Sequence, residues 1–194
     1  MYRRGRVGQA KGNPMKNLPP YIMMFDVESL GLHGPAFAVG YVVIHTADWT
    51  IHDTGKWRCN PDTLPATVEA RKWVDANCAH LKDLGYCESP KKMREGFWDC
   101  WSYWKAQGAW LAADCPWPVE ANFLRDCIHD DPIKREWQGP YPLIDVGSVR
   151  LAVGLDPLAT EERITVDELP VHNPLADSFQ SARLLLEVLR GVGV

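Results

Sequence analysis

The side chains best suited to chemistry are carboxylates. Asp26 and Glu28 stand two residues apart in Met-Met-Phe-Asp-Val-Glu-Ser-Leu-Gly, at the end of an apolar run that predicts a strand. Residues i and i+2 of a strand share a face, so both acids project from one side while Val27 packs on the other. Like charges this close repel, and apolar surroundings make the repulsion costly unless a cation lies between them. Hard oxygen ligands of this kind suit Mg²⁺ or Mn²⁺. Taken alone, Asp-x-Glu is a weak motif, since solvated strand ends also carry paired acids.

Two further places supply partners. Asp114 ends the apolar run Ala109 to Ala113, just before a proline-opened helix; the plain alternative is a loop aspartate that turns the chain. The third place is His172-Asn173-Pro174-Leu175-Ala176-Asp177. With Asn173 as N-cap and Pro174 as first helical residue, Asp177 falls one turn inside a helix and His172 just outside it. Asp177 heads a row that continues through Ser181, Leu184 and Val188. A carboxylate on such an inward row is either paired or bound to metal. His172 read singly is also consistent with a solvent-exposed loop residue.

The elements that must position these groups follow from hydrophobic pattern and punctuation. Tyr21 to Val27, Phe37 to His45 and Trp49 to Cys59 predict three strands, the last two a hairpin. Pro65 to Asn77 and Pro90 to Gln107 predict helices opened by proline. Val119 to Ile128 predicts another, Leu143 to Val146 a strand, and Gly147 to Val153 a short helix capped by Asp145. In the closing helix Leu175, Phe179, Ala182, Leu186 and Leu189 line one face, with Leu184, Leu185 and Val188 on others, so it should be largely buried. Strands first, then helices alternating with strands, indicate an α/β fold with a mixed central sheet.

Composition bounds the whole. The 194 residues are 46% hydrophobic and 24% charged, a globular composition without a membrane-length apolar run. The net charge of −4 is unevenly spread. Residues 1 to 20 hold Arg3, Arg4, Arg6, Lys11 and Lys16 and no acid, which predicts a flexible basic arm. The other 16 bases face all 25 acids, so the body is near −9. A body this acidic needs metal ions for any phosphate chemistry. The six cysteines form no C-x-x-C pair, consistent with a reducing compartment, and no secretory signal follows Met1; the expected location is cytoplasmic. The nine tryptophans read first as core filling, with base stacking as the alternative.

The ordered set, strand Asp-x-Glu, then a strand-end Asp, then His-x-x-x-x-Asp on the last helix, resembles the DEDDh exonucleases, a group that includes the proofreading subunit of bacterial DNA polymerase III, oligoribonuclease and ribonuclease T. The resemblance spans residues 21 to 190. Asp26 and Glu28, followed by Ser29 and Gly31-Leu32, match the first motif, His172 and Asp177 the third, and Asp145 a structural Asp after the middle one. The family's Asn-x-x-Phe-Asp is replaced by Trp110-Leu-Ala-Ala-Asp114, with Asp126 and Asp99 as alternatives to Asp114. Pro174 stands where the family usually has Ala, and the segment 61 to 108 is long for the minimal fold, an expected elaboration of one domain.

This resemblance implies a ribonuclease H-like fold and 3′-to-5′ hydrolysis of single-stranded RNA or DNA. It implies two ions, Mg²⁺ or Mn²⁺, held by Asp26, Glu28, Asp114 and Asp177, with His172 taking the proton from the attacking water. Ser29, Leu30, Leu32 and His33, after the first strand, are placed to meet the terminal nucleotide. A homodimer is expected by analogy with family members. The competing readings are a non-catalytic nucleic-acid-binding or adaptor protein with the same fold, and an unrelated α/β protein whose acids coincide by chance.

Overall fold

A computed structural model describes residues 18–159 and 171–191. The basic arm expected for residues 1 to 20 lies outside the described residues up to position 17. The chain runs β1 (Tyr21–Ser29), β2 (Ala36–His45), β3 (Ile51–Arg58), α1 (Val68–Asn77), β4 (Gly85–Tyr86), α2 (Pro90–Ala106), β5 (Trp110–Ala113), α3 (Val119–His129), α4 (Pro132–Arg135), β6 (Leu143–Asp145), α5 (Val146–Ala152) and α6 (Pro174–Gly191). Six strands form one mixed sheet in the order β4-β3-β2-β1-β5-β6. β1 pairs antiparallel with β2 and parallel with β5. The fold is α/β, a mixed central sheet flanked by helices.

Alternation along β1 divides the core. Met23, Phe25 and Val27 point into a large cluster with Val74 of α1, Met93, Phe97 and Trp101 of α2, and Phe123 and Leu124 of α3. Ile22 and Met24 point the other way, onto Ala182, Leu184 and Leu185 of α6 and Val146 of α5. β2 is buried at nine of its ten positions because helices cover both its faces, which explains its unbroken apolar run.

Pro90 opens α2 and Asp145 caps α5 as the sequence predicts. Ser89 Oγ accepts from Lys92 N–H at the head of α2, and Asp145 Oδ1 accepts from Gly147 N–H at the head of α5. The helix expected to open at Pro65 instead begins at Val68. Thr67 keeps an extended backbone and its Oγ1 accepts from Ala70 N–H, making it the cap. In α6 the buried row is Ser181, Leu184, Leu185 and Val188, while Phe179, Leu186 and Leu189 are partly buried flanks. The tryptophans divide: Trp98, Trp101 and Trp104 fill the core, but Trp73, Trp110, Trp117 and Trp137 are all at least 40% exposed. No helix among the described residues is long and apolar enough to cross a membrane.

Candidate active site

Asp26 and Glu28 continue the β1 row of Ile22 and Met24 toward α6. Parallel pairing between β1 and β5 runs from Ile22 and Trp110 to Met24 and Ala112 and stops there, so the last turn of β1 stands beside an opening. β1 is also where strand order reverses, with β2 and β3 on one side and β5 and β6 on the other. Crevices beyond the carboxyl ends of strands at such a switch point are where open α/β sheets bind ligands.

α6 delivers the third acid. Asn173 Oδ1 accepts from the N–H groups of Leu175 (3.2 Å) and Ala176 (3.4 Å), fixing the helix start as the sequence predicted. The first turn lies directly on β2 at Gly40, the register partner of Asp26. A Cβ at Gly40 would fall 2.4 Å from Leu175 N and 2.5 Å from the Pro174 carbonyl carbon, so only glycine permits this approach. Ser178 Oγ fastens it, donating to the carbonyls of Pro174 (2.6 Å) and Gly40 (3.1 Å). Asp177 is thereby placed over the β1 acids. One carboxylate oxygen each from Asp26, Glu28 and Asp177 lie within 4.8 Å of one another, the one such group of possible metal ligands among the described residues.

Electrostatics fit a cation there. Glu28 is only 7% exposed, and its carboxyl is pushed up to about 8, first by burial and then by the charges of Asp177 and Glu120. A buried acid held against two others is stabilised in its ionised form by a divalent ion. Three hard oxygen donors from rigid elements are the donor set Mg²⁺ and Mn²⁺ take.

His172 stands where the sequence places it, just ahead of α6. Its backbone is held at φ 62°, a conformation non-glycine residues seldom adopt. Its Nδ1 lies 3.7 Å from Glu28 Oε1, and its ring meets Trp73 edge-on with centroids 4.7 Å apart. Partial burial lowers its pKa below the usual 6.5. At neutral pH the imidazole is therefore uncharged and able to accept a proton.

Glu120, on the first turn of α3, has no counterpart in the sequence reading. It is 6% exposed, and its Oε1 accepts from Val27 N–H at 3.3 Å, at the stretch of β1 no longer paired with β5. Its carboxyl is pushed up to about 7, by burial first and also by the charge of Asp114, with the two backbone N–H contacts opposing. Asp114 follows β5 but lies outside the trio of Asp26, Glu28 and Asp177. Glu28 feels Asp177 and Glu120, whereas the charge of Asp114 bears on Glu120. Glu120 thus interacts with both Glu28 and Asp114, and both Glu120 and Asp114 lie outside the trio itself. Asp126 and Asp99, the alternatives to Asp114, also lie outside the trio.

A cavity of about 630 Å³ opens beside the acids. Glu28 and His172 form its floor, Ser29, Gly31 and Leu32 one wall, and Ala70 and Trp73 of α1 another. No lysine or arginine is among the described residues that line it. Ser29 Oγ donates to the Gly31 carbonyl at 2.8 Å, bracing the turn. Leu32 is 67% exposed at the rim, whereas Leu30 is 3% exposed and packs in the core. Leu30 is therefore not positioned to meet a ligand, because the turn directs it inward. Trp73 was legible in sequence only as an aromatic residue on a helix.

No family model and no curated protein matches this sequence. Solved structures do match its shape. The nuclease domain of 3′hExo, a DEDDh family member bound to rAMP, superposes with a TM-score of 0.52 at 14% identity, over 90% of this chain and 94% of that one. The chain has the fold of the DEDDh 3′-exonucleases. Exonuclease X, in complex with 5′-overhanging duplex DNA, shares this DEDDh fold with a TM-score of 0.51 at 19% identity, over 89% and 93% of the two chains. E. coli exonuclease I, in complex with a dT13 oligonucleotide, gives 0.55 at 12% identity, and the match covers 86% of this chain and 40% of that longer one.

Proposed function

We propose that this protein is a metal-dependent 3′-to-5′ exonuclease that hydrolyses phosphodiester bonds of single-stranded RNA or DNA. The observation that carries this reading is the convergence of Asp26, Glu28 and Asp177 beside an uncharged His172, with Glu28 and His172 lining a cavity that has room for a nucleotide. Asp26, Glu28 and Asp177 would hold Mg²⁺ or Mn²⁺, with Asp114 and Glu120 as the further carboxylates beside them. Bound there, the ions would supply a water of lowered pKa and positive charge for the leaving oxygen. His172 accepts the proton released in the attack. The cavity walls are apolar and aromatic at Leu32, Ala70 and Trp73 and carry no basic residue, which favours a base over a phosphate as the group they enclose. The rAMP and oligonucleotide ligands of the structural neighbours support nucleic acid as the substrate class.

The test is incubation of the protein with 5′-labelled single-stranded RNA and DNA in Mg²⁺, Mn²⁺ or EDTA. A ladder shortened from the 3′ end with metal and absent with EDTA is expected, and its presence on one polymer or both defines the substrate. Asp177→Asn should keep the wild-type circular dichroism spectrum and lose cleavage. A variant that still cuts would overturn the assignment.

A further inference from the structure

We infer that Trp117 and His33 form a stacking platform for the penultimate base of the strand, so that the enzyme reads two unpaired nucleotides rather than one. This inference rests on the exonuclease reading above. Trp117 precedes α3 by two residues and is 74% exposed, an unusual position for the largest apolar side chain. It is not isolated: the His33 ring meets it edge-on, with centroids 6.4 Å apart. The two belong to different loops, β1–β2 and β5–α3, that flank the acidic site.

Sequence neighbours fix where this pair stands. His33 follows Leu32, and Trp117 lies two residues before Val119; Leu32 and Val119 both line the cavity, whereas His33 and Trp117 do not. The pair therefore stands next to two lining residues, Leu32 and Val119, and is not itself part of the lining. Leu32 is a partition, with one side on the cavity and most of its surface exposed. A cavity of this size has room for a nucleotide. With the scissile phosphate at the acids, a next base that passes Leu32 meets this pair. An exposed indole braced by an imidazole offers a π-face there. Stacking on such a face tolerates any base, because every base presents one. It also requires that base to be unpaired.

The experiment compares two substrates and two proteins. The small substrate is the p-nitrophenyl ester of thymidine 5′-monophosphate, which has a terminal nucleotide and nothing beyond the scissile bond. The long substrates are oligonucleotides with a normal or an abasic penultimate residue. Trp117→Ala is expected to cleave the ester at the wild-type rate. On the normal oligonucleotide it should lose about 10- to 100-fold in kcat/KM, mainly through KM. The abasic substrate should impose a similar loss on the wild type and little further loss on the variant, and Trp117→Phe should recover part of the deficit. If the wild type fails on both ester and oligonucleotide, the exonuclease reading fails and the platform with it. If the wild type is active and Trp117→Ala matches it on the normal oligonucleotide, the platform alone is overturned. A variant impaired equally on the ester, or as sensitive as wild type to the abasic site, would likewise overturn it by making Trp117 a structural residue.

Discussion

Replacing Glu120 by Gln should make the metal-free protein more stable and the metal-loaded protein less active. Glu120 is buried with its Oε1 on Val27 N–H, a contact that the amide oxygen of Gln can keep. Its carboxyl has been pushed from 4.5 to about 7 in the folded state. A group whose folded pKa is raised contributes stability in full below its unfolded pKa and loses that contribution as pH rises through the folded value. At pH 8 the ionised carboxylate therefore costs the fold about 3 kcal/mol relative to pH 4.5. For a chain of this length each kcal/mol moves Tm by about 2–4 °C, so Glu120→Gln should melt roughly 6–12 °C above wild type at pH 8 in EDTA. The gain should shrink to near zero by pH 4.5, where the folded carboxyl is protonated and the unfolded one is half so. Mg²⁺ should raise the wild-type Tm more than that of the variant, and oligonucleotide cleavage should fall at least 100-fold. Thermal melts of both proteins at pH 4.5, 6 and 8, with EDTA and with Mg²⁺, read all of this. A variant no more stable than wild type at pH 8, or equally stabilised at pH 4.5 and 8, would refute the electrostatic reasoning.

Other perturbations address other parts of the site. Gly40→Ala puts a Cβ 2.4 Å from Leu175 N, so it should lower Tm by several degrees and abolish cleavage by lifting Asp177 away; a stable, active variant would show that α6 does not depend on this close approach. His172→Gln should retain wild-type Tm and metal-induced stabilisation while losing 10²- to 10⁴-fold in kcat. Because burial holds the His172 pKa below 6.5, the wild-type rate should be flat near pH 7 and fall only on acidification below the usual imidazole range. A midpoint above 7 in a profile of kcat against pH would contradict that assignment.

The positions legible in sequence are those whose spacing and secondary structure carry the same message. Asp26 and Glu28 share a strand face by alternation, and Asn173-Pro174 announces a helix start that sets the phase of Asp177. Glu120 was hidden because an acid in the first turn of a helix is ordinary: it complements the macrodipole at any surface helix. Only the early end of the β1–β5 pairing shows that this one points inward, and strand divergence has no residue signature. Asp114 was prominent for the opposite reason, standing directly after a strand, and like Glu120 it lies outside the trio. Trp73 depends on how α1 lies across the β1–β2 turn, where Ala70 comes within 3.5 Å of the position a Cβ on Gly31 would take. That packing is a tertiary fact which helical periodicity does not encode.

Glu120 reaches the β1 acids from the layer of α1, α2 and α3, whereas Asp177 reaches them from the layer of α5 and α6. The site is thus a seam joining two halves of a sandwich through the end of one strand. An intermediate in which either half had come away would keep much of its secondary structure and lack a complete set of ligands. On the exonuclease reading, cleavage would then be silent until both layers are seated.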